Sequence, residues 1–161
     1  MFSINIRIVA VGKLKESFYQ KGVDHYLKRL SPYASIDIKE IPEAKEKGKG
    51  SSAEKQVLQE EGVAIQRYLR SDSVPIVLAP EGKSFSSAEL ALYLEMLPVR
   101  GKSKIDIVVG GPLGLSGEVK RKGELLLSLS ELTFPHRLAR LIIMEQLYRC
   151  FKINKSEPYH R

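Results

Sequence analysis

The sequence predicts an α/β fold, with a mostly parallel sheet flanked by helices, in one domain over residues 1–161. Short segments rich in β-branched residues alternate along the chain with longer segments whose apolar residues recur at helical spacing. Such alternation is typical of parallel sheets. The composition, 43% hydrophobic and 28% charged, suits one soluble domain with a substantial core. Neither an internal repeat nor a linker interrupts the pattern.

The first third of the chain predicts two strands and a helix. Residues 4–12 are β-branched and end in glycine, as in a buried strand. Residues 15–30 carry a helical apolar stripe, which stops at Ser31 and Pro32. Residues 35–41 alternate apolar and polar side chains, which predicts a half-exposed strand. Residues 43–52 are rich in Lys, Gly and Ser and predict a surface loop.

The middle of the chain continues the alternation. A helix is predicted over residues 53–69 and a strand over residues 74–80. The next helix, over residues 86–97, begins with Ser86 or Ser87 as N-cap and Glu89 completing a capping box. Another strand is predicted over residues 104–111. Three predicted strands are thus each followed by a helix before this fourth strand.

The last third is partly ambiguous. Residues 116–132 predict a short helix and then a short apolar segment. Residues 134–153 predict a long helix. Pro135 is compatible with its first turn, where the missing N–H has no hydrogen-bond partner to lose. The pattern places a set of side chains along one face of this helix: Leu138, Leu141, Ile142, Glu145 and Tyr148.

Charge and composition limit the possible functions. The net charge of +7 and the pI of about 9.5 favour a polyanionic partner, of which nucleic acid is the commonest; a merely basic soluble protein is the alternative. One cysteine, Cys150, and three histidines predict neither a disulfide nor a metal site. The first residues lack the layout of a signal peptide and are too short to span a bilayer, which predicts a cytoplasmic protein without a membrane partner.

Three predicted strand ends carry candidate ligand-binding segments, residues 76–87, 105–116 and 127–137. Ligands of open parallel sheets bind beyond the carboxyl ends of strands. Glycines in residues 105–116 permit close backbone contact with a ligand, although a tight strand-to-helix turn explains them equally. Their spacing matches neither the dinucleotide fingerprint nor the P-loop. The hydroxyls of residues 127–137 are interpreted as caps for the last helix, and His136 as a surface residue.

The chain ends with Tyr159, His160 and Arg161. A tyrosine can stack on a base, a histidine can accept a proton near neutral pH, and an arginine can hold a phosphate or carbonyl oxygen. Chain ends are commonly solvated and without function, so a solvated tail is the alternative.

Five segments together resemble one family along nearly the whole chain, in order and spacing: VAVGKLK, VGGPLGL, LSLSELTFPH, IIMEQLYRCFKI and PYHR. The sequence is similar to the RlmH family of SPOUT-class 23S rRNA pseudouridine N3-methyltransferases. The resemblance implies a deep C-terminal trefoil knot, S-adenosylmethionine as methyl donor, a homodimer, and 23S rRNA of the assembled ribosome as partner and substrate.

The resemblance also implies site residues. The S-adenosylmethionine pocket is expected at Leu78, Gly110, Gly111, Leu129, Ser130, Glu131, Leu132, Thr133 and Phe134. Phosphate contacts are expected from Lys120, Arg121, Lys122, Lys45, Lys47 and Lys49, and Arg149 either pairs with Glu145 or contacts RNA or the tail.

A mechanism for the tail follows from the chemistry of the implied reaction. The N3 of pseudouridine is an imide nitrogen and reacts only as its proton leaves and charge spreads onto two carbonyl oxygens, so a base and a cation help. We expect His160 to accept or relay that proton, Arg161 to stabilise the oxyanion or hold RNA, and Tyr159 to stack beside the base. Two alternatives stay open: a non-catalytic RNA- or ribosome-binding protein of this fold, and a nucleotide-binding enzyme acting on a small metabolite.

Overall fold

A computed structural model describes residues 3–161; Met1 and Phe2, part of the segment on which the cytoplasmic prediction rests, lie outside the described residues. Strands and helices alternate as the sequence predicts. Their bounds are β1 Ile4–Val11, α1 Ser17–Leu30, β2 Ala34–Ile41, α2 Ser51–Gln66, β3 Val74–Ser84, α3 Ser87–Val99, β4 Lys104–Val109, α4 Gly117–Lys122, β5 Leu125–Ser128 and α5 His136–Asn154.

The five strands form one sheet in the order β2-β1-β4-β3-β5, and every pair of neighbouring strands is parallel. The register places Ile6 of β1 between Ile36 of β2 and Ile105 of β4. Parallel sheets are covered on both faces, so their central strands are apolar on both sides. The predicted α/β class with a parallel sheet is confirmed.

Two apolar cores lie on opposite faces of the sheet. One contains side chains of α1, α3 and α5 with alternate residues of the strands, such as Ile8 and Ile107. The other contains the intervening strand residues, such as Val9 and Val108, with side chains of α2 and α4. This division follows from the two-residue period of a strand, which sends successive side chains to opposite faces.

Most predicted boundaries lie within two residues of the observed ones, and three places differ in kind or by more. The helix predicted over residues 53–69 runs from Ser51 to Gln66. Strand β3 continues past residue 80 to Ser84, because Lys83 and Ser84 pair with β5 after an irregularity in the ladder. The ambiguous segment resolves into α4 and β5. The predicted capping box of α3 is confirmed, with Ser86 Oγ accepting from Glu89 N at 3.1 Å.

The face predicted for the last helix lies mostly away from the side that the structure buries. Leu138, Leu141 and Ile142 are only half-buried, whereas Ile143, Met144, Leu147, Tyr148, Cys150 and Phe151 are buried. Apolar residues surround this helix on nearly every side, so the spacing alone does not distinguish the side that packs on the sheet from the outer side. The outer side therefore presents apolar surface.

Candidate functional site

A cavity of about 890 Å³ lies at the carboxyl ends of β3, β4 and β5. This is the position that open parallel sheets use for ligands, and the volume lies in the range of small-molecule sites. The walls come from three parts of the chain that lie far apart in sequence: residues 78–81, residues 109–115 with Lys120, and most of the segment from Leu127 to His136 with Ala139 of α5.

The structure brings together all but one of the residues predicted for the donor pocket. The residues that line the cavity are Leu78, Gly110, Gly111, Leu129, Ser130, Leu132, Thr133 and Phe134. Glu131 is exposed and lies outside the lining. The cavity thus joins the three strand ends that the sequence marked as candidates.

The glycines after β4 form the wall of the cavity with their backbone. A Cβ added at Gly110 would lie 2.7 Å from the Gly114 carbonyl oxygen and 2.8 Å from Leu115 Cγ, which leaves no room for a side chain. Gly114 has a φ of +84°, a conformation that favours glycine, and its N–H donates to the Gly111 carbonyl at 3.0 Å. The lack of a side chain at Gly110 therefore lets the loop fold tightly on itself where it lines the cavity.

The hydroxyl groups after β5 hold the loop rather than cap α5. Ser128 Oγ donates to the Ser130 carbonyl at 3.1 Å, and Ser130 Oγ accepts from the Leu132 N–H at 3.0 Å. The N-terminus of α5 has no side-chain cap, so the predicted capping role is wrong. Leu132 is 73% exposed although it is apolar, and it offers the cavity a hydrophobic contact surface.

The basic residues predicted to bind RNA fall into different environments. Lys120 lines the cavity and its Nζ lies 2.5 Å from Glu81 Oε1, a contact that lowers the pKa of the Glu81 carboxyl. Arg121 and Lys122 are exposed on the last turn of α4, next to the cavity wall. Lys120 therefore contributes to the cavity, and its two neighbours face solvent.

His136 belongs to the cavity, whereas the sequence assigned it to the surface. Its side chain is 16% exposed, and burial lowers the pKa of its imidazole. Its Nε2 lies 3.4 Å from Oε1 of Glu43. Glu43 begins the segment that was predicted to be a surface loop. No spacing along the chain indicates this contact, because Glu43 follows β2 at a distant point of the sequence.

Arg140, one turn further along α5, ties the helix to the end of β1. It is 1% exposed, its Nη1 donates to Glu40 Oε2 at 2.6 Å, and its Nη2 donates to the Gly12 carbonyl at 2.7 Å. Gly12 has a φ of +94°, and a Cβ there would meet Glu43 Oε1 at 2.9 Å. The buried guanidinium thus fixes the start of α5 against the sheet, and with it the position of His136.

The tail turns back on α5 through a Schellman motif. Ser156 holds a φ of +54°, its N–H donates to the Ile153 carbonyl, and the Glu157 N–H donates to the Lys152 carbonyl. Glu157 then accepts from Lys152 Nζ and from Tyr33 Oη, both at 2.7 Å. The hydrogen bond to Glu157 is the main reason why the pKa of Lys152 is raised. The turn and these two contacts fix the direction of the last residues.

The residues predicted to be catalytic lie beside the middle of α5. Tyr159 Oη donates to Glu145 Oε1 at 3.1 Å, its ring packs edge-on against Tyr148, and the Arg149 guanidinium lies over the ring at 4.7 Å. Burial, followed by the effects of Tyr26 and the Glu145 carboxylate, raises the pKa of the Tyr159 phenol. Arg149 also donates to Glu145 at 2.6 Å and lies 3.1 Å from His160 Nδ1, so it contacts both residues named as its alternatives.

One chain does not bring its own tail to its own cavity. Tyr159, His160 and Arg161 are absent from the lining, and the tail contacts α5 nine residues beyond His136, about 14 Å along the helix axis. Within residues 3–161, no cluster of three or more potential metal ligands occurs, and no helix has the length and hydropathy to cross a membrane.

Comparisons with known proteins agree on one family. The family described as "Predicted SPOUT methyltransferase" matches residues 4–160. Ribosomal RNA large subunit methyltransferase H from Bacillus cereus is 46% identical over 159 residues, 98% of this chain and 100% of the relative; the protein of that name from Bacillus thuringiensis gives the same values. A solved structure of a probable methylase family protein from Haemophilus influenzae Rd KW20 shares the fold, with a TM-score of 0.54, 17% identity, and coverage of 98% of this chain and 71% of that one.

Proposed function

The chain belongs to the SPOUT methyltransferase family, and on that premise we propose that it transfers a methyl group from S-adenosylmethionine to N3 of a pseudouridine in 23S rRNA of the assembled ribosome. The observation that carries the proposal is the cavity at the ends of β3, β4 and β5, built from the segments expected to hold the donor. The relatives named for ribosomal RNA large-subunit methylation align over nearly the whole chain. Transfer of labelled methyl groups to ribosomes, followed by mapping of the label, tests the proposal.

The cavity fits S-adenosylmethionine in chemistry and in shape. Leu78, Leu129, Leu132 and Phe134 supply apolar walls for a flat base, and Gly110 and Gly111 line the cavity with their backbone polar groups. When bound, the donor supplies a methyl group already activated by its sulfonium. The chain's task is then chiefly to position the acceptor nitrogen and to move its proton.

We propose that the working unit is a homodimer in which the tail of one copy serves the cavity of the other. This arrangement would unite the two halves of the site, which lie apart within one chain. The half-buried Leu138 and Ile142 on the outer side of α5, with Phe18 of α1 at 64% exposure, supply apolar surface that a second copy can cover. His160, Arg161 and Tyr159 would then reach the acceptor base, with Tyr159 also anchoring the tail to Glu145.

The remaining parts of the proposal follow from the substrate. The trefoil knot implied by the resemblance and a single domain over residues 1–161 stay predictions. Ribosomes place the reaction in the cytoplasm. A non-catalytic RNA-binding role is less well supported, because eight of the nine residues expected to hold the donor line one cavity.

Binding to the ribosomal RNA is expected to weaken steeply with salt. If exposed cations such as Arg121, Lys122 and Lys49 contact phosphates, the logarithm of the association constant should fall against the logarithm of salt concentration with a slope of about −3 or steeper. Lys122→Ala should reduce the magnitude of that slope by about 0.7 to 0.9. Filter binding or fluorescence anisotropy over a salt range of about 50 to 200 mM measures the slope.

The matched control for the salt experiment is Lys102→Ala. Lys102 is also an exposed lysine, but it precedes β4 and lies at the opposite end of the sheet from the cavity. It should leave the slope unchanged. A slope near zero for the wild-type protein, or equal effects of the two substitutions, would contradict phosphate binding at α4.

A further inference from the structure

His136 is a titratable side chain of the cavity to which neither the donor nor the tail gives a role. Its ring lies in the cavity wall, yet its Nε2 is buried without a hydrogen-bond partner. Glu43 Oε1 lies 3.4 Å from that nitrogen, and Gly12 leaves the space in which the two side chains meet. Since Nε2 faces Glu43, Nδ1 is the ring nitrogen left for a ligand of the cavity.

The charged groups around His136 come from three elements. Arg137 and Arg140 extend from α5, Glu40 and Glu43 from the end of β2 and the segment after it, and Glu16 from the N-cap of α1. Glu16 lies 2.9 Å from Arg137, and Glu40 lies 2.6 Å from Arg140, so each arginine has its own carboxylate. Glu43 is the third carboxylate, 4.0 Å from Arg137.

With two arginines and three ionised carboxylates, the cluster carries a net charge of −1 while His136 is neutral. Burial is the main reason why the pKa of His136 is lowered, and the two arginines add to the effect, while Glu43 opposes it. We therefore expect the neutral form of the ring to predominate at neutral pH, where it can accept a proton. A proton on His136 would cancel the excess charge of the cluster, with Glu43 as the nearest carboxylate to the new imidazolium.

His160 is placed differently. Its Nδ1 lies 3.1 Å from Arg149 Nη1, and a guanidinium can only donate a hydrogen bond. Nδ1 must therefore carry the lone pair, and the proton of the neutral ring lies on Nε2. In this arrangement, the free nitrogen of His160 is a hydrogen-bond donor and has no lone pair for the proton of an acceptor base.

We propose that His136 accepts the proton from the acceptor nitrogen, that Glu43 stabilises the resulting imidazolium, and that His160 donates its Nε2–H to a carbonyl oxygen of the base. The assignment rests on the proposed function. In the balanced reaction, the N3–H bond breaks and its proton passes to His136, N3 gains the methyl group, and the sulfonium donor leaves as a thioether. The proton then leaves His136 to solvent.

His136→Asn should lower the single-turnover rate of methyl transfer to ribosomes by about 100-fold, the usual size of general-base effects. The dissociation constant for S-adenosylmethionine, measured by calorimetry without RNA, should change by less than about threefold. The control is His25→Asn, since His25 is exposed on α1 and away from the cavity. A rate for His136→Asn within about threefold of wild type would overturn the proposal.

Glu43→Gln supplies a readout that a merely structural role would not move. Loss of the carboxylate removes the group that favours the imidazolium, so the acidic limb of the pH–rate profile should move to lower pH. The plateau rate should fall by about tenfold, because the proton has a weaker acceptor. An unshifted acidic limb would overturn the role of Glu43.

An activity-independent measurement separates this proposal from the proposed function. Nitrogen-15 NMR of the imidazoles should show His136 neutral at pH 7 and should show its signals shifting on saturation with S-adenosylmethionine, while those of His25 stay unchanged. Unperturbed or charged His136 would overturn the proposal even if the wild-type protein transfers no methyl group. Label on a different nucleotide would refute the proposed substrate, while the rate of His136→Asn would still test the base.

Discussion

His160→Ala is expected to reduce methyl transfer by at least about 100-fold, while affinity for S-adenosylmethionine stays within about threefold of wild type. The side chain is exposed, lies beside Arg149 and is absent from the cavity lining, so its removal disturbs neither the core nor the donor site. It removes a group that would act on the acceptor base only after RNA has docked. Rapid-quench single-turnover assays give the rate, and calorimetry gives the affinity.

The control for this prediction is again a histidine outside the site. His25→Ala removes an imidazole that is also exposed, on α1, and should leave the rate unchanged. If His160→Ala transfers methyl groups at near wild-type rate, the tail has no chemical role. If it loses donor affinity as well, the tail acts by shaping the cavity.

Gly110→Ala should abolish tight donor binding. The new Cβ would lie 2.7 Å from the Gly114 carbonyl oxygen and 2.9 Å from the Gly114 carbonyl carbon, and backbone cannot rotate away as a flexible side chain can. The loop that walls the cavity must move. We expect S-adenosylmethionine affinity to fall at least tenfold, which is about 1.4 kcal/mol of binding free energy. The free energy of unfolding, measured in urea, should fall by about 2 kcal/mol.

Gly117→Ala is the matched control for that substitution. A Cβ at Gly117 would meet only the Arg121 Nη1 at 3.1 Å, the flexible end of a long side chain, and the position begins α4. It should keep both stability and affinity. Wild-type affinity in Gly110→Ala would contradict the placement of the donor against this backbone.

The two variants together test the shared site. One copy of His160→Ala keeps an intact cavity, and one copy of Gly110→Ala keeps an intact tail. Mixed dimers would regain one working site each, so that an equal mixture should recover about a quarter of wild-type activity. A mixture as inactive as its components would show that cavity and tail do not combine between copies.

The sequence predicted the fold well because its strands and helices have strong, separate periods. Residues 8–11 and 107–109 are apolar on both sides, which is the pattern of strands covered on both faces. The three strand ends marked as candidates converge on one cavity because all strands run parallel. That convergence is a property of topology, and topology followed from the alternation of elements.

Other features depend on contacts that local sequence does not encode. The inner side of α5 could not be recognised, because the helix is apolar on nearly every side and its neighbours decide which side is covered. The prediction that His136 lies at the surface is wrong, because Glu43 and Gly12 set its environment and come from distant segments. The tail folds back through Ser156 in a left-handed conformation that glycine more commonly adopts, so the turn left no clear mark in the sequence.

The proposed methyl transfer to 23S rRNA is tested most directly with ribosomes from cells that lack this gene. These would be incubated with the purified protein and methyl-labelled S-adenosylmethionine, and the label located by mass spectrometry of nuclease fragments. We expect label at N3 of one pseudouridine of the large-subunit RNA, at full yield with assembled ribosomes. Label on another nucleotide, or none despite demonstrated donor binding, would contradict the proposed substrate.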